Sequence, residues 1–224
     1  MEKQEFFDQT LPFWNKLSKE QQQQFLDKSL LKTFQTGETM HAEHKNCSGL
    51  FLIKTGQVRA FIVSETGKEI TLYRLLEGDL CIFSASCMLK NINFDVFVEA
   101  EKETSSYLIP TKEFEKISKE CMPVLEYTNE LLASRFSDVM WIMDQVVFQS
   151  FDKRLANFIL DQASMEGTET FSITQEKIAR HLGSAREVVS RMMKYFVEEG
   201  MISLTRGKIT IVNYDKLIQI VGLK

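Results

Sequence analysis

The stretch ITQEKIARHLGSAREVVSRMMKYFVEEGMI, residues 173–202, decides the fold of the C-terminal part of this chain. It contains two short helical patterns separated at Gly183, which can supply a sharp turn. Ala179 stands four residues before this glycine, where two helices must approach closely, and the apolar Val189 follows six residues after it. This spacing is typical of a helix-turn-helix, with Ile178, Val189 and Met192 in its small core.

The second helical pattern has a charged face and an apolar face. We expect Ser184 to cap it, since serine is a favoured residue at helix N-termini. The N-terminal turns of such a helix enter the major groove, where arginine can donate two hydrogen bonds to guanine and glutamate can accept one from cytosine. The residues predicted to read bases are Arg186, Glu187, Ser190 and Arg191. The alternative is an ordinary solvated face, but such a face needs neither a glycine turn before it nor a basic hairpin after it.

A basic hairpin follows the second helix. The runs GMISLT and ITIV flank Arg206-Gly207-Lys208, which predicts two short strands with a basic tip, the wing of a winged helix. Phosphate contacts position a protein on DNA without conveying sequence. The residues predicted to contact phosphates are Thr174, Lys177, Arg180, Ser184, Lys194, Arg206 and Lys208. We expect His181 to face a phosphate or solvent.

The preceding part of the chain has a different pattern of apolar residues and glycines. From about residue 33 to 110, short alternating runs are separated by glycine turns, and Gly56, Gly67 and Gly78 follow one another at intervals of 11 residues. Several short strands at this spacing, without helical crossovers, indicate a sandwich or jelly roll. Before them, Ser18 and Gln21 form a capping box that opens a polar helix over about 18–30.

A long helical pattern joins the two parts, over residues 123–148. Its apolar positions alternate at spacings of four and three residues, as in the seam of a coiled coil. The predicted seam consists of Leu125, Asn129, Leu132, Phe136, Val139, Met143 and Val146. The alternative is a helix laid on its own β-domain. An asparagine in a seam costs stability but fixes register, so it favours pairing with a second copy.

Composition restricts the classes of protein. The chain has 224 residues and a net charge of −4, and its C-terminal part is the less acidic. It contains no run of 18 apolar residues, and its N-terminus is polar and acidic, so we expect neither a membrane span nor a secretory signal. The four cysteines form no dense framework. We therefore predict a cytoplasmic protein with reduced thiols.

These motifs together resemble the Crp/Fnr family of bacterial transcription regulators, over nearly the whole chain. The family's Arg-Glu-x-x-x-Arg reading set falls on Arg186, Glu187 and Arg191, and Ser190 matches a base-contacting serine of the fumarate–nitrate branch. The resemblance implies an α+β fold: a β-roll sensor domain of the cyclic-nucleotide-binding type (1–122), a dimerisation helix (123–149) and a winged helix-turn-helix domain (150–224). It also implies a homodimer that binds double-stranded DNA at a palindrome with TGA-containing half-sites, with RNA polymerase as a partner.

The sensor half departs from the family's best-known members. Cyclic-AMP binders carry Gly-Glu after a Gly-Asp step and then an Arg-Ser pair that holds the phosphate. Here Gly78-Asp79 is followed by Ile82-Phe83 at the first pair and by Phe94-Asp95 at the second. Loss of the guanidinium and gain of a carboxylate both oppose phosphate binding, so we predict that cyclic AMP does not bind.

The resemblance supplies no iron–sulfur or haem site either. No cysteine precedes Cys47, so the N-terminal cysteine cluster of the fumarate–nitrate regulator is missing. The cysteine and histidine ligands of the carbon-monoxide-sensing haem regulator fall here on Ile82 and Ser84. No cofactor or metal is therefore predicted, and the effector stays unidentified.

Two groups of residues are candidates for sensing a small-molecule or redox effector. The first is the segment around the two nearby cysteines: Cys81, Ser84, Ser86, Cys87 and Phe94. Its cysteines are alternatively small buried hydrophobes. The second is His41, His44 and Cys47, which are possible metal ligands in a predicted turn, where a spacing of three does not place side chains on one face.

Two other kinds of protein are alternatives to an effector-gated regulator. A jelly-roll metal enzyme needs histidines and carboxylates aimed inward from the strands, but the predicted strand segments contain no histidine and no nucleophile motif appears. An effector-independent dimeric regulator would retain the DNA-binding helix, so only effector screening separates it from a sensor.

Overall fold

A computed structural model describes residues 2–41, 49–82, 84 and 95–222 of the chain. It confirms the predicted α+β fold, with a β-roll, a long helix and a winged helix-turn-helix. Within these ranges, no helix combines the length and the apolar character that crossing a membrane requires.

The N-terminal part contains three helices, eight strands and a short 3-10 turn at Trp14–Lys16 among the described residues. The helices are α1 (Lys3–Thr10), α2 (Lys19–Lys28) and α3 (Thr111–Glu120). The strands are β1 (Leu30–Phe34), β2 (Thr39–His41), β3 (Leu50–Thr55), β4 (Val58–Val63), β5 (Glu69–Leu75), β6 (Leu80–Cys81), β7 (Phe97–Ala100) and β8 (Thr104–Ile109).

The remaining elements begin with the long helix α4 (Met122–Phe148). They continue with α5 (Phe151–Glu166), β9 (Thr170–Ser172), α6 (Gln175–Leu182), α7 (Arg186–Glu198), β10 (Ile202–Thr205), β11 (Lys208–Ile211) and α8 (Tyr214–Val221).

The eight N-terminal strands form two four-stranded sheets, in the orders β1-β8-β3-β6 and β2-β7-β4-β5. Alternate residues of β7, Val98 and Ala100, are fully buried and share a core with Ala60 of β4 and with Phe51 and Ile53 of the other sheet. This alternation is expected of strands that bury one face between two sheets. The predicted jelly roll is therefore confirmed.

Helices α1 and α2 cover a second core of the N-terminal part. Phe7, Trp14 and Phe25 meet in edge-to-face contacts, with 5.4 Å between the Phe7 and Trp14 ring centroids. Such contacts stabilise aromatic clusters beyond the area that they bury. The predicted capping box is present at the start of α2, where Ser18 Oγ accepts from Gln21 N at 3.2 Å and Gln21 Oε1 accepts from Ser18 N at 2.9 Å.

The chain divides into two compact units. The first comprises Met1–Val63 and Leu72–Val139, and the second comprises Ser64–Thr71 and Met140–Lys224. The three divisions thus fall at the end of β4, inside β5 and inside α4. In the second unit, α5, α6 and α7 pack around one apolar core with β9, β10 and β11, which form a sheet in the order β10-β11-β9.

Candidate nucleic-acid interface

Helix α6 and the turn that follows it have the predicted geometry. Thr174 caps the helix, with its Oγ1 accepting from Lys177 N at 3.1 Å. Gly183 ends it in the left-handed conformation, with φ of 62°, which L residues rarely adopt. Ala179 is 4% exposed, which fits the close helix approach that its small side chain indicates. The glycine turn therefore fixes where α7 begins.

The start of α7 differs from the prediction in one detail. Ala185, not Ser184, occupies the N-cap position, and no side chain caps the helix. The Ser184 amide instead donates to Ala179 O at 3.0 Å, as part of the glycine turn. Ser184 is thus one residue too early to cap α7, because the first helical bond runs from Val188 N to Ala185 O.

The two faces of α7 are separated as predicted. Val189, Met193 and Phe196 are fully buried in the core of the second unit. The side chains predicted to read bases lie away from that core: Arg186, Glu187 and Arg191 are exposed, and Ser190 is half-buried. The structure thus brings these four side chains together on the first two turns of one helix.

The predicted wing is also present. Strands β10 and β11 pair antiparallel, and Arg206 and Gly207 form the turn between them, with a φ of 75° at Gly207. Arg206 and Lys208 are exposed at this tip. Two exposed cations at the tip of a short hairpin can contact a polyanion such as the DNA backbone.

The other residues predicted to contact phosphates fall into three groups. Lys177 and Lys194 are exposed. Thr174 and Ser184 take part in the cap and turn hydrogen bonds of the helix-turn-helix. Arg180 is paired with an acidic residue of the same unit, since its Nε lies 2.9 Å from Glu69 Oε2.

The expectation for His181 is wrong. Its side chain is only 6% exposed, so it faces neither phosphate nor solvent. Nδ1 is hydrogen-bonded to Thr71 Oγ1 at 2.8 Å, and the imidazole ring lies 5.1 Å from the ring of Phe158. A buried imidazole needs such a partner for its polar atoms, and the partner lies far away in the sequence.

Sequence reasoning also missed Arg154 on α5. Its guanidinium donates to the carbonyl oxygen of Leu182, in the last turn of α6. Burial lowers the pKa of Arg154 from its ordinary value. A cation at a helix C-terminus satisfies a carbonyl that has no partner within the helix, so Arg154 holds the end of α6. A lone arginine in an amphipathic helix gives no sequence signal for this role.

Helix α4 carries an exposed apolar stripe, but its members differ in part from the predicted seam. Asn129, Phe136 and Met143 are exposed, as are Leu125 and Val146. Leu132 and Val139 instead pack against the cores of their own unit. A heptad line whose members are all exposed has Ala133, Met140 and Val147 in place of Leu132, Val139 and Val146. This line, hereafter the α4 stripe, consists of Asn129, Ala133, Phe136, Met140, Met143 and Val147.

The described sensor candidates lie in the interior of the β-roll. Cys81 is fully buried, and burial together with this neighbouring thiol raises the pKa of Tyr73 well above its ordinary value. The Arg135 guanidinium lies 4.6 Å from the Tyr73 ring centroid and pairs with Asp138 at 2.9 Å.

Ser84 bonds only to backbone groups in the hydrogen bonds that its hydroxyl makes here. The hydroxyl donates to Cys81 O at 2.8 Å and accepts from Phe51 N at 3.3 Å. The other candidates, Ser86, Cys87 and Phe94, lie outside the described residues.

The histidine expected in a turn, His41, lies in β2 and is 4% exposed, so the statement that the strands contain no histidine is wrong. His44 and Cys47 lie outside the described residues. In the parts of the chain that the structure describes, no three His, Cys, Asp or Glu side chains converge as metal ligands.

Comparison with known proteins agrees with this geometry. The model of the Crp-like helix-turn-helix domain matches residues 153–220, and that of the cyclic nucleotide-binding domain matches residues 31–121. A crystal structure from Eubacterium rectale ATCC 33656, assigned to the Crp/Fnr transcriptional regulators, is 45% identical with a TM-score of 0.91, covering 96% of this chain and 99% of that chain. The chain belongs to the Crp/Fnr family.

More distant members agree. The fumarate and nitrate reduction regulatory protein of Escherichia coli (strain K12) is 25% identical over 201 residues, which are 85% of this chain and 78% of that protein. A mutant of CooA from Carboxydothermus hydrogenoformans has the same fold, with a TM-score of 0.69 at 21% identity over 95% of each chain. As a member of this family, the chain is a DNA-binding transcription regulator and not an enzyme.

Proposed function

We propose that this Crp/Fnr protein is a homodimer that reads a palindromic operator with the first two turns of α7. The observation that carries the proposal is the division of α7, with Arg186, Glu187 and Arg191 exposed and Val189 and Met193 buried on the opposite side. A helix held by a buried face and preceded by a rigid glycine turn presents its polar face in one orientation, which direct reading of bases requires.

The chemistry of the exposed face suits the major groove. Arg186 and Arg191 can each donate two parallel hydrogen bonds to O6 and N7 of a guanine, and Glu187 can accept from N4 of a cytosine. Ser190 can donate to or accept from a neighbouring base edge. By family resemblance, this set corresponds to a TGA-containing half-site.

The cations around α7 would anchor the protein to the DNA backbone. Lys177, Lys194, Arg206 and Lys208 are exposed on α6, on α7 and at the wing. Contacts of this kind supply affinity that is independent of sequence and falls with salt. Arg180 belongs to the same group by its position on α6, although its guanidinium is paired with the Glu69 carboxylate in this structure.

Pairing of two chains would use the α4 stripe. Phe136 is 67% exposed and Val147 60% exposed, which is unusual for large apolar side chains on one helix line. The stripe repeats at spacings of four and three residues, which is the spacing at which two helices pack knobs into holes. Such a dimer would present two α7 helices, and half-sites one helical turn apart would match its two-fold symmetry.

The signal that gates DNA binding would act at the β-roll and would not be cyclic AMP. Phe94 and Asp95 stand where cyclic-nucleotide binders have Arg-Ser, so the chain lacks the guanidinium that pairs with a cyclic phosphate. The effector, whether a small molecule or a redox signal, is unidentified.

Selection from a random DNA library tests the proposal. The wild-type protein is incubated with duplexes that carry a random central segment of about two helical turns, and the bound DNA is sequenced over several rounds. The expected result is an inverted repeat whose two halves are centred about one helical turn apart. Recovery of unenriched sequence, with the protein folded, would show that α7 does not read bases.

A further inference from the structure

Three consecutive residues of β5 contact the C-terminal end of α6, within the second unit. Glu69 forms an ion pair with Arg180, Ile70 forms an antiparallel backbone bridge with Leu182, and the Thr71 hydroxyl is bonded to His181. A side chain at Gly183 would also meet Ile70, since an added Cβ would lie 3.4 Å from Ile70 Cδ1. We call Glu69, Ile70 and Thr71 the β5 clasp.

The clasp engages α6 through the free edge of its sheet. β5 is the outer strand in the order β2-β7-β4-β5, so one of its edges has no strand beside it within the described sheet. Leu182 pairs with this edge at Ile70. Backbone groups of Ile70 that would otherwise be exposed are thereby paired with Leu182 of the same unit.

The clasp also forms an ion pair with Arg180, one of the residues proposed to contact a DNA phosphate. Arg180 Nε and Glu69 Oε2 are 2.9 Å apart, and the two side chains are 35% and 19% exposed. A carboxylate and a phosphate oxygen accept the same charge-assisted hydrogen bond from a guanidinium. The Glu69 carboxylate therefore accepts the kind of bond that a phosphate oxygen would accept from Arg180.

We infer that the Glu69 carboxylate competes with DNA phosphates for the Arg180 guanidinium. Glu69 stays paired with Arg180 until a phosphate replaces it. The inference rests on the proposed function, because it assigns to Arg180 a phosphate contact. Binding of DNA must break the Glu69–Arg180 pair or forgo the Arg180 contact, and either outcome lowers the affinity for every DNA sequence alike. Base preference, set by α7, is untouched.

The test removes the charge of Glu69 and leaves its shape. Glu69→Gln is compared with the wild type on two duplexes: the sequence recovered by selection with the wild type, and a scrambled duplex of equal length. We expect both duplexes to be bound about two- to fivefold more tightly, the range that a partly exposed ion pair supplies. Because the pair is partly exposed, the variant is expected to fold, and its unfolding curve verifies this.

Two comparisons separate the clasp from a general loss of negative charge. Glu65→Gln removes a charge from the exposed turn of the same hairpin and should leave DNA affinity unchanged. In an Arg180→Gln background, Glu69→Gln should have no effect on DNA affinity, since the guanidinium for which Glu69 and the phosphate would compete is absent. An equal gain in affinity with and without Arg180 would overturn the inference, and so would an equal gain from Glu65→Gln.

The two proposals fail in distinguishable ways. If the wild type enriches no sequence in the selection, the proposed reading of DNA fails, whatever Glu69 does. If the wild type selects an operator and Glu69→Gln binds it no more tightly, the proposed function stands and the clasp does not compete with DNA.

Discussion

Thr71 and His181 are joined by a buried hydrogen bond of 2.8 Å, although 110 positions separate them along the chain. His181 belongs to α6 of the helix-turn-helix, and Thr71 lies in β5. The bond fixes one face of α6, while Arg154 holds its last turn and Ala179 packs against the core. The position of the DNA-binding element thus depends on residues from outside the motif itself.

The Thr71–His181 bond should contribute measurably to stability. Thr71→Val keeps the shape of the side chain but leaves a buried imidazole nitrogen without this partner, which costs about 1–3 kcal/mol. Urea-induced unfolding measures the loss. Thr205→Val is the matched control, because Thr205 is exposed on β10 and its replacement should change the free energy of unfolding by less than about 0.5 kcal/mol. Equal effects of the two variants would show that the bond contributes nothing.

Arg191→Ala should relax the reading of one base pair. Loss of a bidentate contact costs about 1–3 kcal/mol on the selected operator and less on sequences mutated at that position. Competition binding against single-base variants of the operator measures both quantities. Lys194→Ala, on the same helix, should weaken binding to all of these duplexes alike. An unchanged base preference in Arg191→Ala would contradict the assignment.

Lys208→Ala should weaken DNA binding without regard to sequence. Removing one phosphate contact reduces the slope of log K against log salt by about 0.9. Fluorescence anisotropy over a series of salt concentrations gives this slope. The control, Lys112→Ala, removes the same charge from an exposed position on α3 and should leave the slope as it is. A slope that both variants leave unaltered would place Lys208 away from the phosphates.

Phe136→Asp should separate the dimer. In the α4 stripe it would force two carboxylates into a packed apolar seam, where unpaired charges are very costly. Sedimentation equilibrium at micromolar concentration should show a dimer for the wild type and a monomer for the variant. Ser134→Asp places the same charge on an exposed part of α4 outside the stripe and should remain dimeric. A monomeric wild type would refute the pairing altogether.

Cyclic AMP and cyclic GMP should not bind. Phe94 offers no charge to the cyclic phosphate, and the Asp95 carboxylate repels it. Isothermal titration with either nucleotide is expected to show only heats of dilution. A dissociation constant in the micromolar range would mean that another cation of the β-roll binds the cyclic phosphate in place of the missing arginine.

The sequence predicted those features that repeat with the period of a regular element. Val189, Met193 and Phe196 recur at helical spacing, so the buried and exposed faces of α7 could be assigned before the structure was known. The jelly roll was predicted from alternating strands and turn glycines for the same reason. The three-residue strand β9 is too short to show any period.

Other features depend on contacts that no local pattern encodes. The prediction that His181 faces a phosphate or solvent is wrong, because its partner Thr71 comes from a strand far away in the sequence and gives no local signal. Ser184 was expected to cap α7, yet the glycine turn already uses its amide. In α4, heptad lines one residue apart fit the sequence almost equally well, and only packing of Leu132 and Val139 on the cores of their own unit distinguishes them.

The placement of the two tryptophans gives the protein an intrinsic optical reporter. Trp14 is 2% exposed within the aromatic cluster of the first unit, whereas Trp141 is 49% exposed on α4, next to Met140 of the stripe. A soluble quencher such as acrylamide therefore reaches one indole and not the other. Any partner that covers α4 would shield Trp141 and leave the emission of Trp14 as an internal reference, so occupancy of this helix can be followed in unlabelled protein.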